Sequence, residues 1–167
     1  MSLAIRPAAA GDAVAVADLY NWYVRHTVVS FEEQPVSADE MQRRIEAISA
    51  EYDWLVLERG GSLLGFAYAG PFRPRAAYRF ATESTIYLRH GLEGQGLGGG
   101  LYRELIDRTL ARGFRTLIGG IALPNEASTR LHERLGFVKV GHLRAVGRKF
   151  DRWIDVGYWQ LDGAGAC

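Results

Sequence analysis

The chain has 167 residues, and its 20 lysines and arginines nearly balance its 19 aspartates and glutamates, so the formal net charge is +1. This length is typical of one domain around a single core. No run of like charge indicates a nucleic-acid or membrane surface. We therefore expect one domain over residues 1–167, with an ordered core of about 3–162, and a small-molecule partner rather than nucleic acid or a membrane.

Cysteine usage and the amino-terminal sequence favour a cytoplasmic protein. The single cysteine, Cys167, has no partner for an intramolecular disulfide, so nothing indicates an oxidising compartment. Residues 1–7 lack the apolar segment of a secretory signal. No stretch approaches the roughly 20 apolar residues that would span a bilayer.

The first half of the chain predicts a strand, two helices and a pair of strands. Apolar residues recur from Val16 to Val24 at the spacing of one helix face. Ser37 and Glu40 have the spacing of a capping box, which predicts that a second helix begins there and ends near Glu51. The predicted strands cover residues 3–6, 54–58 and 62–69, the last two joined by a glycine turn.

The second half predicts a third central strand, a glycine-rich turn, a helix that ends at Gly113 and a buried strand. A short helix and two further strands follow. These elements cover residues 80–88, 101–112, 116–123, 125–135, 137–146 and 153–161. The order β, α, α, β, β, β, α, β, α, β, β predicts an α/β fold in which helices cover both faces of a mixed sheet.

The glycine-rich turn between the third central strand and its helix is a candidate anion site. Backbone N–H groups and the helix dipole converge at such a position, which suits a phosphate or pyrophosphate, although a flexible turn is the alternative. Gly94, Gly96 and Gly99 also satisfy G-x-G-x-x-G, but residues 113–125 lack the acidic residue that a dinucleotide fold needs. No Gly-Lys-Ser/Thr ends the run, so a P-loop is excluded too.

A strand, then Gln/Arg-x-x-Gly-x-Gly/Ala, then a helix resembles the acetyl-CoA motif of the GNAT superfamily, with Glu93 in place of the usual Gln or Arg. The wider chain is similar to the phosphinothricin and methionine sulfoximine (or sulfone) acetyltransferase branch of that superfamily. The stretches that carry the likeness are residues 67–72, 83–88, 123–137 and 153–157. The resemblance implies a GNAT-like, mostly antiparallel mixed sheet and a homodimer.

The same resemblance implies transfer of acetyl from acetyl-CoA to the α-amino group of a small amino-acid-like substrate, without a metal. It implies that Glu83 removes a proton from the substrate ammonium, directly or through water, and that His132 lies near the leaving sulfur. There it would act either as general acid, as a tyrosine does at this position in many relatives, or as a contact to the sulfur. A structural carboxylate and a structural helix histidine are the alternatives for these two residues. The implied cofactor contacts are Ile86, Tyr87, Leu88, Gly94, Gln95, Gly96, Leu97, Gly98, Gly99 and Asn125.

The resemblance also implies an acceptor pocket around Phe31, Arg73, Arg75 and Lys149. A guanidinium on a proline-stiffened loop suits a bidentate grip on a carboxylate, although a solvated basic loop is the alternative for Arg73 and Arg75. Two rival functions stay open. One is acetylation of another amine, such as a polyamine, an antibiotic or a protein N-terminus, and the other is CoA binding without turnover.

Overall fold

The computed structural model describes residues 1–166, so Cys167 lies outside the described residues. One seven-stranded sheet, in the order β1-β2-β3-β4-β5-β7-β6, forms its centre. The strands are β1 (Leu3–Pro7), β2 (Trp54–Arg59), β3 (Ser62–Pro71), β4 (Ala81–Leu88), β5 (Thr116–Leu123), β6 (Val138–Lys149) and β7 (Arg152–Asp162). The helices are α1 (Ala13–His26), α2 (Ala38–Ser49), α3 (Leu97–Ala111) and α4 (Glu126–Arg134).

The predicted fold class is confirmed: the sheet is mixed and mostly antiparallel, and only the β4–β5 pair is parallel among the described strands. All the predicted strands and helices are present, and most of their ends differ by a few residues. The helix after the glycine turn begins at Leu97, earlier than predicted. Its first turn consists largely of glycine, which is a poor helix former, so the sequence placed these residues in the turn. None of the helices in the described part of the chain has the length and apolar character needed to cross a bilayer.

Local sequence signals explain the helix start and the hairpin in the first half. The Ser37 hydroxyl accepts a hydrogen bond from the Glu40 N–H, as an N-cap should. The Glu40 carboxylate accepts hydrogen bonds from Arg43 and Arg44 instead of completing the predicted capping box. Gly60 and Gly61 have φ of 57° and 79°, which lets the chain turn tightly between β2 and β3.

Two apolar layers cover the opposite faces of the sheet. Because side chains alternate along a strand, Leu55 and Leu57 of β2 pack in the cluster that includes α3, whereas Trp54 and Val56 pack in the cluster that includes α1 and α2. Tyr102 of α3 is fully buried within the first of these clusters. The two layers fix β4 between the α1–α2 side and the α3–α4 side.

The parallel contact between β4 and β5 is short, and this creates an opening in the sheet. The two strands pair only from Ala81 to Glu83 on β4, against Thr116 to Ile118 on β5. Beyond that point β4 continues beside β3 up to Leu88, and β5 continues beside β7. The strands therefore diverge into a cleft whose walls are one edge of β4 and one edge of β5.

Candidate active site

A cavity of about 420 Å³ lies where β4 and β5 separate. Its walls come from β4, from β5, from α4, from α1 and from the loop between α1 and α2. A groove of about 570 Å³ continues from it along β4 to the glycine turn and the start of α3. The residues common to both spaces are Val29, Ile86, Tyr87, Asn125 and Ser128. The cavity and the groove are thus two ends of one cleft.

The free edge of β4 presents backbone hydrogen-bonding groups to this cleft. The Arg89 N–H donates to the Leu64 carbonyl of β3, at 2.7 Å. In an antiparallel ladder such bonds alternate, so Ser84, Ile86 and Leu88 direct their N–H and C=O groups away from β3 and toward the cleft. The Leu88 carbonyl already accepts a hydrogen bond from Tyr23 Oη, at 2.7 Å. The N–H groups of Ile86 and Leu88 are left to face a ligand.

Glu83 lines the cavity at the point where the two strands part. The carboxylate keeps contact with solvent through the open cavity, but the surrounding walls remove part of its hydration. This desolvation raises the pKa of Glu83, and the positive charge of Arg73 offsets the effect in part. A carboxylate with a raised pKa in a cleft is suited to accept a proton near neutral pH.

His132 ends a buried chain of hydrogen bonds. Its Nδ1 lies 2.8 Å from the Ser128 carbonyl, and only a protonated nitrogen can bond to that oxygen. Nε2 is therefore an acceptor, and Tyr102 Oη donates to it at 2.9 Å. Ser84 Oγ lies 2.7 Å from Tyr102 Oη and donates in turn. Burial lowers the pKa of His132, so the ring is neutral.

This network engages both ring nitrogens of His132. The residue lines the cavity although only 4% of it is exposed. Proton donation to a ligand in the cavity would require the ring to release the Ser128 carbonyl. The geometry therefore supports a fixed, neutral ring at the wall between cavity and α3.

The glycine turn opens the groove at the amino end of α3. Gly94 and Gly96 have φ of 77° and 78°, a conformation that side-chain-bearing residues rarely adopt. No atom outside the immediate chain lies within 4 Å of a Cβ built at either position, so the surface above the turn is open. The first N–H groups of α3 have no partner within the helix. The turn and the helix end together form a cradle for an anion.

Glu93 does not direct a free carboxylate at this cradle. Oε2 accepts a hydrogen bond from the Gly91 N–H at 2.8 Å, while Oε1 lies 3.4 Å from Tyr23 Oη and 3.7 Å from His90 Nδ1. Arg89, which could have offset the charge of Glu93, instead donates to the Leu63 carbonyl. The carboxylate is held by its own loop.

Most of the sequence-predicted site residues come together in this cleft. Phe31, Glu83 and His132 line the cavity, and Asn125 lies where cavity and groove meet. The Asn125 side chain also caps α4 by accepting from the Ser128 N–H. The predicted residues along the groove are Ile86, Tyr87, Leu88, Gly94, Gly96, Leu97, Gly98 and Gly99.

Four predicted residues do not line the cavity or the groove. Gln95 belongs to the glycine turn but is outside the groove wall, and Arg73 and Arg75 lie on the exposed loop after β3. Lys149 is buried at the end of β6, where its ammonium donates to the Ser30 carbonyl at 2.7 Å. Lys149 thus supports the wall of the cavity from behind.

The structure also adds residues that the sequence did not single out. Tyr20, Ser30 and Glu32 line the cavity opposite β4 and are joined to one another by hydrogen bonds. Tyr20 lies within the apolar repeat of α1, so its spacing alone indicated core packing. Residues 30–34 read Ser-Phe-Glu-Glu-Gln, and nothing in this polar run distinguishes Glu32 from its neighbour Glu33.

No group of three or more His, Cys, Asp or Glu residues with the proximity needed for a metal ion occurs in residues 1–166.

Comparisons with known proteins agree with this architecture. Residues 5–157 match the family model described as an acetyltransferase (GNAT) domain. The chain is 44% identical over 158 residues to a phosphinothricin N-acetyltransferase of Streptomyces viridochromogenes, covering 95% of this chain and 86% of that protein. It is 36% identical to an L-methionine sulfoximine/L-methionine sulfone acetyltransferase of Pseudomonas paraeruginosa, covering 97% of this chain and 95% of that one.

A solved structure extends the likeness to the backbone. The phosphinothricin acetyltransferase of Sinorhizobium meliloti, crystallised in complex with acetyl-CoA, superposes with a TM-score of 0.92 at 37% identity, covering 97% of this chain and 89% of that one. The chain therefore belongs to the GNAT family of acetyltransferases.

Proposed function

We propose that the protein transfers the acetyl group of acetyl-CoA to the α-amino group of a small amino acid whose side chain ends in a tetrahedral, oxygen-bearing centre. Acceptors of the phosphinothricin, methionine sulfoximine or methionine sulfone type meet this description. The observation that carries the proposal is the single cleft in which Glu83, the free edge of β4 and the glycine turn follow one another. The names of similar enzymes support the choice of acceptor.

The residues of the groove fit acetyl-CoA. The open glycine turn and the first N–H groups of α3 would hold the pyrophosphate. The Ile86 and Leu88 backbone and the Asn125 side chain would bond the amide groups of the pantetheine arm. When bound, acetyl-CoA supplies an activated acetyl thioester at the entrance to the cavity.

The cavity residues then account for the proton transfers. Glu83 takes a proton from the substrate ammonium, directly or through one water, and the freed amine attacks the thioester carbonyl carbon. A β4 N–H aimed into the cleft stabilises the charge that develops on the carbonyl oxygen. The carbon–sulfur bond breaks as the amide forms, and the sulfur leaves as a thiolate that gains a proton. That proton is the one that the attacking nitrogen loses as it becomes the amide nitrogen. His132, a neutral ring whose single N–H proton is bonded to the Ser128 carbonyl, would contact the leaving sulfur rather than protonate it.

Arg73 and Arg75 are proposed to bind the acceptor carboxylate at the mouth of the cavity. Arg73 is close enough to Glu83 to lower its pKa, which supports a position beside the reacting amine. A guanidinium can hold a carboxylate through two parallel hydrogen bonds. An acceptor without an α-carboxylate would gain nothing from this loop.

The test is release of free thiol from acetyl-CoA with methionine sulfoximine, methionine sulfone, phosphinothricin, spermidine and a short peptide, each added alone. Saturable release with the amino acids only is expected. Release with spermidine or the peptide only would keep the enzyme and reject the acceptor. Binding of acetyl-CoA without release in any reaction would favour a non-catalytic CoA-binding protein.

The Glu83→Gln variant tests the base. We expect kcat to fall by about 10²-fold or more, because general base catalysis typically contributes that much. Acetyl-CoA affinity should stay near that of the wild type, since Glu83 is outside the groove. Unchanged turnover would remove Glu83 from the mechanism.

We also propose that the protein is a homodimer that associates through β6. This strand lies at the end of the sheet, and it exposes apolar side chains to solvent. Those at least 44% exposed are Val138, Val140, Leu143 and Val146. An unpaired apolar edge strand invites pairing with another chain. Sedimentation analysis should give twice the chain mass, and Val140→Lys should shift the equilibrium toward the monomer.

A further inference from the structure

The charged side chains that line the cavity are acidic. The described lining of the cavity includes the carboxylates Glu32 and Glu83 and no lysine or arginine. If Glu83 faces the acceptor ammonium and Arg73 the acceptor carboxylate, the remaining carboxylate, Glu32, faces the end of the acceptor side chain. This step rests on the proposed function.

Glu32 is ionised, and it is held in place. Arg44 donates to both of its oxygens, at 3.0 Å to Oε2 and 2.7 Å to Oε1, and Tyr20 Oη donates to Oε2 as well. The bonds from Arg44 lower the pKa of Glu32. An ionised carboxylate can only accept hydrogen bonds. Each of its oxygens offers about two acceptor positions, so Oε1 keeps one position open.

The hydroxyl groups of Tyr20 and Ser30 donate their protons within the cavity wall and not into the cavity. Because Tyr20 Oη donates to Glu32, Ser30 Oγ must be the donor in its 2.7 Å contact with Tyr20 Oη. Ser30 Oγ in turn accepts from the Glu32 N–H at 3.1 Å. The hydroxyl protons of this wall are therefore used within it. What remains for a ligand is acceptor capacity and negative charge.

The nearby cations do not add positive charge or hydrogen-bond donors to the cavity surface. Arg44 directs its nitrogens to the carboxylates of Glu32 and Glu40 and does not line the cavity. The Lys149 ammonium bonds to the Ser30 carbonyl behind the wall. Neither cation offers a hydrogen bond into the cavity.

We infer that Glu32 is a specificity determinant: it favours acceptors whose side chain ends in a neutral hydrogen-bond donor and disfavours those whose side chain ends in an anion. The sulfoximine N–H is such a donor. The sulfone has the same shape but only acceptor oxygens, and the phosphinate of phosphinothricin is an anion. These three side chains are close in size, so they separate hydrogen bonding and charge from steric fit.

The test compares kcat/KM for the three acceptors in the wild-type protein. We expect kcat/KM for methionine sulfoximine to exceed that for methionine sulfone by about tenfold or more, because a hydrogen bond to a charged partner is stronger than one between neutral groups. Phosphinothricin should be the poorest of the three. Equal values for sulfoximine and sulfone, or a preference for phosphinothricin, would overturn the inference. Absence of thiol release with all three would instead reject the proposed function.

Glu32→Gln removes the charge, and Glu40→Gln is the matched control, because Glu40 also accepts from Arg44 but lies outside the cavity. In Glu32→Gln the ratio of kcat/KM for sulfoximine to kcat/KM for sulfone should fall by about fivefold or more. The kcat/KM for phosphinothricin should rise relative to both. The ratios in Glu40→Gln should match the wild type. Thermal melting and acetyl-CoA affinity show whether each variant is folded. Ratios in folded Glu32→Gln equal to those of the wild type would overturn the inference.

Discussion

Replacement of Tyr102 by phenylalanine removes one buried hydroxyl and leaves two groups without partners. Tyr102 is fully buried on α3, and its Oη joins Ser84 Oγ to His132 Nε2. Ser84 is only 5% exposed and His132 only 4%, so water has little access to either. An unsatisfied buried polar group costs about 1–3 kcal/mol. With two such groups, Tyr102→Phe should lower the free energy of unfolding by about 2–4 kcal/mol.

The double variant Ser84→Ala/Tyr102→Phe provides the internal check. It leaves only the His132 acceptor without a partner, so it should be about 1–2 kcal/mol less destabilised than the sum of the two single variants. Urea denaturation measures each value from the midpoint and the slope. A loss below about 0.5 kcal/mol for Tyr102→Phe, or strict additivity in the cycle, would show that the buried chain of hydrogen bonds does not exist as described.

Three further variants and a pH profile test the cavity wall and the proposed base. A Cβ built at Gly147 of β6 would lie 2.3 Å from the Phe31 ring, which is 43% exposed and able to swing outward. Gly147→Ala should therefore raise the KM of the acceptor with little loss of stability, whereas Gly141→Ala on the same strand, with nothing within 4 Å, should leave both unchanged. If Glu83 is the base, as proposed, activity needs it ionised, so kcat/KM should decline as the pH falls through a pKa above the usual glutamate value. Arg73→Met removes a charge that lowers this pKa and should move the acidic limb to higher pH; a shift to lower pH would contradict the assignment.

Local signals in the sequence were enough to predict the elements and their order. Each helix of the first half has an apolar face at helical spacing, and glycines mark the turns where φ is positive. These signals depend only on residues that are close in sequence, so they can be recognised without knowledge of the fold. The ends of elements were less predictable because capping and pairing decide them, as Glu40 shows when it binds Arg43 rather than the helix start.

The parts of the site that are formed by consecutive residues could be predicted from the sequence. The glycine turn needs small residues in a row, and its position before α3 was visible in the sequence. Glu83 and His132 came from a family resemblance rather than from their spacing. Lys149 was expected at the substrate, but its ammonium binds the Ser30 carbonyl, a contact between residues 119 positions apart that no local pattern encodes.

The charge of the cavity depends on which side chains converge, and this explains why the sequence did not reveal it. The chain as a whole is close to neutral, with a net charge of +1. The charge balance within the cleft differs from that of the whole chain. Arg44 donates to Glu32 from behind the cavity wall, so the carboxylate lines the cavity and the guanidinium does not. A similar chain that kept Glu83 and the glycine turn but replaced Glu32 would preserve the proposed chemistry and present a different wall to the acceptor. On the inferred role of Glu32, the choice of acceptor would change in the α1–α2 loop while the divergent strands of the proposed catalytic site stay the same.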